Sequence, residues 1–248
     1  MTDLTHESGN FIQQISLSSQ LLAEEIDPNN QSAMEEITRL QWARKGLEHL
    51  LEDLRQFASP LKLEKDQCSV RSLWRQAWSD VTRTDEATNA SLEDTTDVSD
   101  DTCHIDAFRL GQVFRNLFEN SLAACGEKPR IKVYCRNGDG TLKIVIADNG
   151  PGLQPEARER LVEPFFTTKT KGTGLGMAIA KRIVEAHGGQ IVAGRTATVG
   201  AEFLITLPRQ TAEKAGAEGS SLVADPELRL RRRHCKSIWL SGPSRIWS

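Results

Sequence analysis

The 248-residue sequence has no long apolar run, no C-x-x-C pair and no P-loop. No apolar stretch approaches the roughly 20 residues that cross a bilayer, and the first residues lack the basic start and apolar core of a signal peptide, so we expect neither. The five cysteines show the pattern of reduced thiols in a cytoplasmic protein. The formal net charge of −3 indicates no direct contact with nucleic acid.

Residues 1–60 are predicted to form two helices joined by a turn at Asp27-Pro28-Asn29-Asn30. Ser32-x-x-Glu35 has the form of a capping box for the second helix. Leucines that repeat every seven residues predict a coiled-coil-like seam on that helix. These are Leu40, Leu47 and Leu54. The hairpin has too little apolar surface to be stable alone, so we expect a homodimer with a four-helix bundle.

Residues 61–209 mix helical and strand patterns, which predicts an α+β domain with helices covering one face of a sheet. An apolar run at 142–147 predicts a strand buried on both faces, and a polar, acidic segment at 84–102 predicts a loop. Residues 210–248 are interpreted as a linker and a solvated basic tail of unknown role, with a contact to a partner or to nucleic acid as the alternative for the basic run. The other predicted elements are helices at 70–81, 106–125 and 174–187 and strands at 131–135, 190–194 and 201–207.

Four short blocks follow one another between Asn116 and Gly176. They read Asn-Leu-Phe-Glu-Asn (116–120), Asp-Asn-Gly-Pro-Gly (148–152), Glu-Pro-Phe-Phe-Thr-Thr (163–168) and Gly-Thr-Gly-Leu-Gly (172–176). In this order they resemble the N, G1, F and G2 boxes of sensor histidine kinases, above all those of the nitrogen-regulation type. The resemblance implies an α/β-sandwich (Bergerat-type) ATP-binding domain, shared with gyrase-type ATPases and Hsp90, with ATP and Mg²⁺ as ligands.

Asp148 ends the apolar strand and is predicted to bind adenine. Its carboxylate can accept a hydrogen bond from the exocyclic amine, while Gly150 and Gly152 let the ring approach the backbone. The same five residues are also a strong turn signal, so an Asx turn is the alternative. The other three blocks favour the nucleotide role.

The phosphates and the metal are assigned to those three blocks. Asn116 and Asn120 lie one helical turn apart, and the amide oxygen of Asn120 suits Mg²⁺; two surface amides are the alternative. Glycines that open a helix leave free N–H groups for phosphate. The resemblance places Lys169 and Lys171 in a short lid that reaches the phosphates, since Ala123 stands where many kinases have a basic residue. The expected nucleotide contacts also include Phe165, Thr168, Gly172, Thr173, Gly174, Leu175, Gly176 and Thr206.

The segment from Thr5 to Asn10 resembles the H box of the same family. His6 is expected to face solvent and to be the phosphoacceptor, with Glu7 accepting the imidazole proton. Asn10 is expected to orient the nucleotide, and Asn116 joins these residues in the catalytic set. An ordinary exposed histidine is the alternative, and Phe11 replaces a frequent proline.

The resemblance implies a cytoplasmic sensor histidine kinase core. Such a core transfers the ATP γ-phosphate to its own histidine and then to an aspartate in the receiver domain of a response regulator. Two alternatives use the same fold: a serine kinase of the anti-sigma type, which has no helical hairpin, and an ATP-binding adaptor that transfers no phosphate.

Overall fold

The structure is a computed structural model that describes residues 2–27, 30–83, 89–167, 169, 172–194 and 200–209, with side chains from residue 10 onwards. The predicted tail therefore lies outside the described residues. None of the described helices combines the length and the apolar composition needed to cross a membrane.

The N-terminal part is a hairpin of two long helices, α1 (Thr2–Glu25) and α2 (Gln31–Ala58), which pack on each other. The N-cap of α2 is Asn30, whose side chain accepts a hydrogen bond from the Ala33 N–H at 3.2 Å. The capping box predicted at Ser32 is therefore wrong, because Ser32 already lies inside the first turn. Asn30 was the better candidate because its short amide can turn back to the free N–H groups.

The second part contains a five-stranded sheet in the order β2-β4-β5-β7-β6 and a separate antiparallel pair, β1 with β3. Only the β2–β4 pair of the large sheet is parallel. The strands are β1 (Asp66–Ser69), β2 (Ser91–Asp94), β3 (Thr102–Ile105), β4 (Arg130–Gly138), β5 (Thr141–Asp148), β6 (Gln190–Ala193) and β7 (Glu202–Pro208).

Helices cover one face of this sheet, so the predicted α+β architecture is confirmed. They are α3 (Val70–Val81), α4 (Ala107–Ala124), α5 (Pro155–Arg160) and α6 (Gly176–Ala186). Trp74 of α3 packs edge-on against Phe114 of α4, with ring centroids 6.0 Å apart. Along β5, Ile144 and Ile146 are fully buried while Lys143 is exposed, so the prediction of a strand buried on both faces is wrong.

The predicted loop at 84–102 contains the edge strand β2, which the sequence did not indicate. Its four residues, Ser-Leu-Glu-Asp, include one apolar side chain, so no alternating pattern is visible. Ion pairs hold the strand in place: Asp94 accepts hydrogen bonds from Arg71 at 2.7 Å and from Arg75 at 2.8 Å. Burial alone would raise the pKa of Asp94, but the bonds from Arg71 and Thr96 outweigh it and lower the pKa to about 2.

The end of α2 rests on the second part of the chain. Leu54 and Phe57 pack against the main hydrophobic core, whereas Leu40 and Leu47 are 47% and 42% exposed. The seam predicted along α2 is therefore wrong at Leu54, which serves the intramolecular junction. The two exposed leucines remain free to meet another surface.

Candidate nucleotide-binding site

Asp148 lies at the last position of β5, on the buried face of the sheet, and is 8% exposed. Its Oδ1 accepts hydrogen bonds from the backbone N–H groups of Gly150 at 3.0 Å and Ala201 at 2.9 Å. Its Oδ2 accepts a hydrogen bond from the Ser121 hydroxyl at 2.9 Å. Because a carboxylate oxygen can accept more than one hydrogen bond, Oδ2 retains capacity for an amine such as that of adenine.

Glycines surround this carboxylate because the backbones approach too closely for a side chain. Gly200 has φ +82°, and a Cβ there would fall 1.7 Å from the carbonyl oxygen of Asp148. Gly152 has φ +80°, and its Cβ would lie 2.9 Å from the Gly200 oxygen. Gly152 was predicted as a site residue, whereas Gly200 was not, because it approaches Asp148 from a distant part of the chain.

Helix α4 carries the two predicted amides and directs them to different partners. The Asn116 side-chain amide donates to the Gly176 carbonyl at 2.8 Å and so joins α4 to the start of α6. The Asn120 oxygen accepts a hydrogen bond from the Lys169 ammonium at 2.9 Å. Ser121, the next residue, holds Asp148. Helix α4 therefore contacts the glycine loop, Lys169 and Asp148.

The glycine loop leads into α6, whose first helical residue is Gly176. The N-cap residue Leu175 makes no capping bond with its side chain, so the first backbone N–H groups of this 11-residue helix can face an anion. The Leu175 side chain is fully buried in the core, so only its backbone can contribute to nucleotide binding. Gly174 has φ +70°, and a Cβ there would fall 2.5 Å from the backbone of Phe165.

The segment before the glycine loop, residues 163–171, corresponds to the predicted lid. Phe165 has φ 66° and is 59% exposed, and its N–H donates to the Gly174 carbonyl at 3.1 Å. Lys169 is half-buried, and burial lowers the pKa of its ammonium group. The charges of Glu119 and Asp148 oppose this shift but do not cancel it. Thr168 and Lys171 lie outside the described residues, so their predicted roles stay predictions.

Thr206 is not brought to this site, contrary to the sequence-based expectation. It lies opposite Lys143 in the β5–β7 register, whereas Asp148 shares the other face of the sheet with Ile144 and Ile146. Side chains alternate between the faces of a strand, so Thr206 points away from the carboxylate. The sequence alone does not reveal this register, so Thr206 was included among the expected nucleotide contacts.

The hairpin contacts the glycine loop through residues that the sequence analysis missed. Asp53 of α2 accepts a hydrogen bond from the Thr173 hydroxyl at 2.5 Å. Arg182 of α6 donates to the carbonyl groups of Phe57 and, at 2.8 Å, of Ser59 at the end of α2. Such carbonyls have no partner within a helix, so the guanidinium caps α2. No local pattern reveals these pairs, since each spans more than a hundred residues.

His6 and Glu7 belong to α1, but their side chains lie outside the described part of the structure. Asn10, one turn further on, is exposed. The structure therefore leaves the predicted phosphoacceptor role as a prediction.

The residues present fit a nucleotide with a divalent ion. A side chain at Gly150 would come within 3.1 Å of Asp148 Oδ1, so glycine keeps the carboxylate accessible. The ammonium group that lies on Asn120 shows that this amide oxygen attracts a cation. Oxygen ligands supplied by one protein side chain, water and phosphates suit Mg²⁺.

Comparison with known protein families shows the class to which the second part of the chain belongs. Residues 105–211 match the family described as histidine kinase-, DNA gyrase B- and HSP90-like ATPases. That range includes both amides of α4, Asp148, the lid and the glycine loop. The second part of the chain is thus an ATP-binding domain of this class.

Individual relatives indicate which group of proteins within this class the chain resembles. The sensor protein FixL of Bradyrhizobium diazoefficiens is 31% identical over 77% of this chain and 38% of its own length. The catalytic domain of histidine kinase ThkA is 31% identical, with a TM-score of 0.54 over 59% of this chain and 96% of that domain. Full-length ShkA in complex with AMPPNP is 26% identical, with a TM-score of 0.70 over 85% of this chain and 46% of that one. The chain belongs to the sensor histidine kinase family.

The match does not extend over whole relatives. The chain spans less than two fifths of the length of the curated sensor kinases it matches.

Proposed function

We propose that this chain is the phosphotransfer core of a sensor histidine kinase, which moves the γ-phosphate of Mg²⁺-ATP to His6. The observation that carries the proposal is the set of contacts around α4. There Asn116 reaches the glycine loop, Asn120 binds a cation and Ser121 orients Asp148. An adenine acceptor, an amide for Mg²⁺ and an anion-binding helix start are thus all linked to α4.

Each group has a chemical task in the proposed reaction. Asp148 and the nearby glycines hold adenine, and the N–H groups at the start of α6 bind phosphate oxygens. Asn120 holds Mg²⁺, which neutralises charge on the phosphates. The His6 imidazole attacks the γ-phosphorus as the bond to the β-phosphate oxygen breaks, ADP leaves, and Glu7 takes the imidazole proton.

The geometry of the hairpin supports His6 as the acceptor. Two antiparallel helices rise equally from the turn at 26–30, about 1.5 Å per residue. Counted outward from the turn, His6 is therefore level with residue 50 of α2. That level is within about one helical turn of Asp53, which bonds to Thr173 in the glycine loop. The end of the hairpin that carries His6 is also the end next to the nucleotide site.

The proposal includes a homodimer and a response regulator. The hairpin exposes large apolar side chains, a composition that favours burial against a second copy. They include Phe11, Ile15, Leu22, Leu40, Trp42 and Leu47. From phospho-His6 the group is proposed to pass to an aspartate of a receiver domain, in the cytoplasm.

Incubation of the protein with γ-labelled ATP and Mg²⁺ tests the proposal. Phosphohistidine is labile in acid and stable in alkali, so the label should be lost only in acid. An acid-stable label would support the anti-sigma type of serine kinase instead. A protein that binds ATP without taking label would be an adaptor.

A further inference from the structure

The Asn120 side-chain oxygen, which is the proposed metal ligand, is bonded to a lysine of the lid in this structure. The Lys169 ammonium lies 2.9 Å from the Asn120 side-chain oxygen and 3.4 Å from the Asn120 backbone carbonyl oxygen. Two acceptors of one residue thus hold a single cation. This oxygen is also the one that the proposed function assigns to Mg²⁺.

Further contacts hold both Lys169 and Asn120 in place for this hydrogen bond. The backbone N–H of Lys169 donates to the Thr167 hydroxyl at 3.1 Å, which fixes the turn that presents the side chain. Asn120 is held in α4 between Glu119 and Ser121, and Ser121 is bonded to Asp148. Ala123, one turn after Asn120, contributes no charge. The lid therefore supplies the cation that lies beside this amide.

Lysine and metal cannot occupy the amide oxygen together. Mg²⁺ binds oxygen at about 2.0–2.1 Å and demands near-octahedral geometry. An ammonium hydrogen-bonded to the same oxygen would stand a few ångströms from a divalent ion, and the two like charges repel. One cation must leave when the other binds.

We infer that Lys169 is a positioning residue that holds the lid on Asn120 and is displaced when the divalent ion takes that oxygen. Metal binding and release of the lid from α4 are then one event. This inference rests on the proposed function, because it needs Asn120 as the metal ligand.

The test compares ADP affinity with and without Mn²⁺, using calorimetry on the whole chain. The quantity of interest is the factor by which Mn²⁺ tightens ADP binding. In the parent this factor is reduced by the work of displacing Lys169. In Lys169→Met that work is absent, so the factor should rise about tenfold, as expected for loss of one charge-assisted hydrogen bond.

Two variants serve as controls. Lys169→Arg keeps a cation on the lid and should stay near the parent value. Lys143→Met removes an exposed lysine from β5, away from the site, and should change nothing. An unchanged or smaller factor in Lys169→Met, with ADP still bound, would overturn the inference alone. Failure of every variant and of the parent to bind ADP would instead overturn the proposed function.

Discussion

Replacing Asp148 by asparagine should weaken nucleotide binding while the fold is kept. The asparagine oxygen can still accept the N–H groups of Gly150 and Ala201. The new amide nitrogen then faces Ser121, whose hydroxyl can rotate and accept instead of donating. All three internal partners remain satisfied, so the free energy of unfolding should change by less than about 1 kcal/mol.

The proposed hydrogen bond to adenine, in contrast, cannot be restored in Asp148→Asn. The amine of the base would meet an N–H donor where the carboxylate oxygen had been, and a charge-assisted hydrogen bond would be lost. That loss is worth about 1.5–3 kcal/mol, or roughly ten- to 150-fold in Kd. Calorimetry with ADP measures the affinity, and urea unfolding measures the stability.

Two further variants make this prediction specific. Asp148→Ala removes the two acceptor oxygens of all three internal hydrogen bonds and should also cost about 3 kcal/mol of stability. Asp139→Asn makes the same chemical change in the exposed turn before β5 and should leave both quantities unchanged. If Asp148→Asn bound ADP as tightly as the parent, the adenine role of this carboxylate would be refuted.

Three other predictions concern the junction, the buried histidine and assembly. Arg182→Ala should loosen the end of α2, because several helix-end carbonyls lose their donor; hydrogen exchange at residues 54–58 should rise several-fold, whereas Arg136→Ala should leave it unchanged. His187 accepts the Asp106 N–H at 2.9 Å, and burial lowers its pKa, so the folded state favours the neutral ring. Stability should therefore fall as the pH drops below about 6.5, the ordinary histidine pKa, and level off below the folded-state pKa. Between pH 7.5 and 5.5 the urea midpoint should fall more in the parent than in His187→Gln, and an equal fall in both proteins would contradict this prediction. Leu47→Asp should convert a micromolar dimer into a monomer that still binds ADP, because each buried leucine contributes about 1.5–3 kcal/mol; sedimentation that shows a parent monomer at high concentration would contradict it.

Local sequence signals carried much of the fold. The helix with Trp74 follows from apolar periodicity and the strand that ends at Asp148 from a short apolar run, both of which depend on neighbouring residues alone. The edge strand β2 could not be found in this way, because one leucine in four residues shows no period and its ion pairs come from α3.

In the site, too, local motifs were predicted whereas contacts between distant residues were not. Asp148, Asn120 and the glycine loop belong to short motifs. In the structure, Asn116 and Ser121 of α4 bond to the glycine loop and to Asp148. The approach of Gly200 to Asp148 and the bond from Lys169 to Asn120 join residues about fifty positions apart, so only the folded chain reveals them. Thr206 failed because the register decides which face a strand residue occupies.

The central claim, phosphotransfer to His6, is tested most directly by labelling two matched variants with γ-labelled ATP. His6→Gln should take no acid-labile label, yet should bind ADP like the parent because His6 lies on α1, outside the nucleotide-binding motifs. His49→Gln removes the exposed histidine on α2, near the same level of the hairpin, and should be labelled normally. Undiminished labelling of His6→Gln would contradict the account, and loss of labelling only in His49→Gln would move the acceptor to α2.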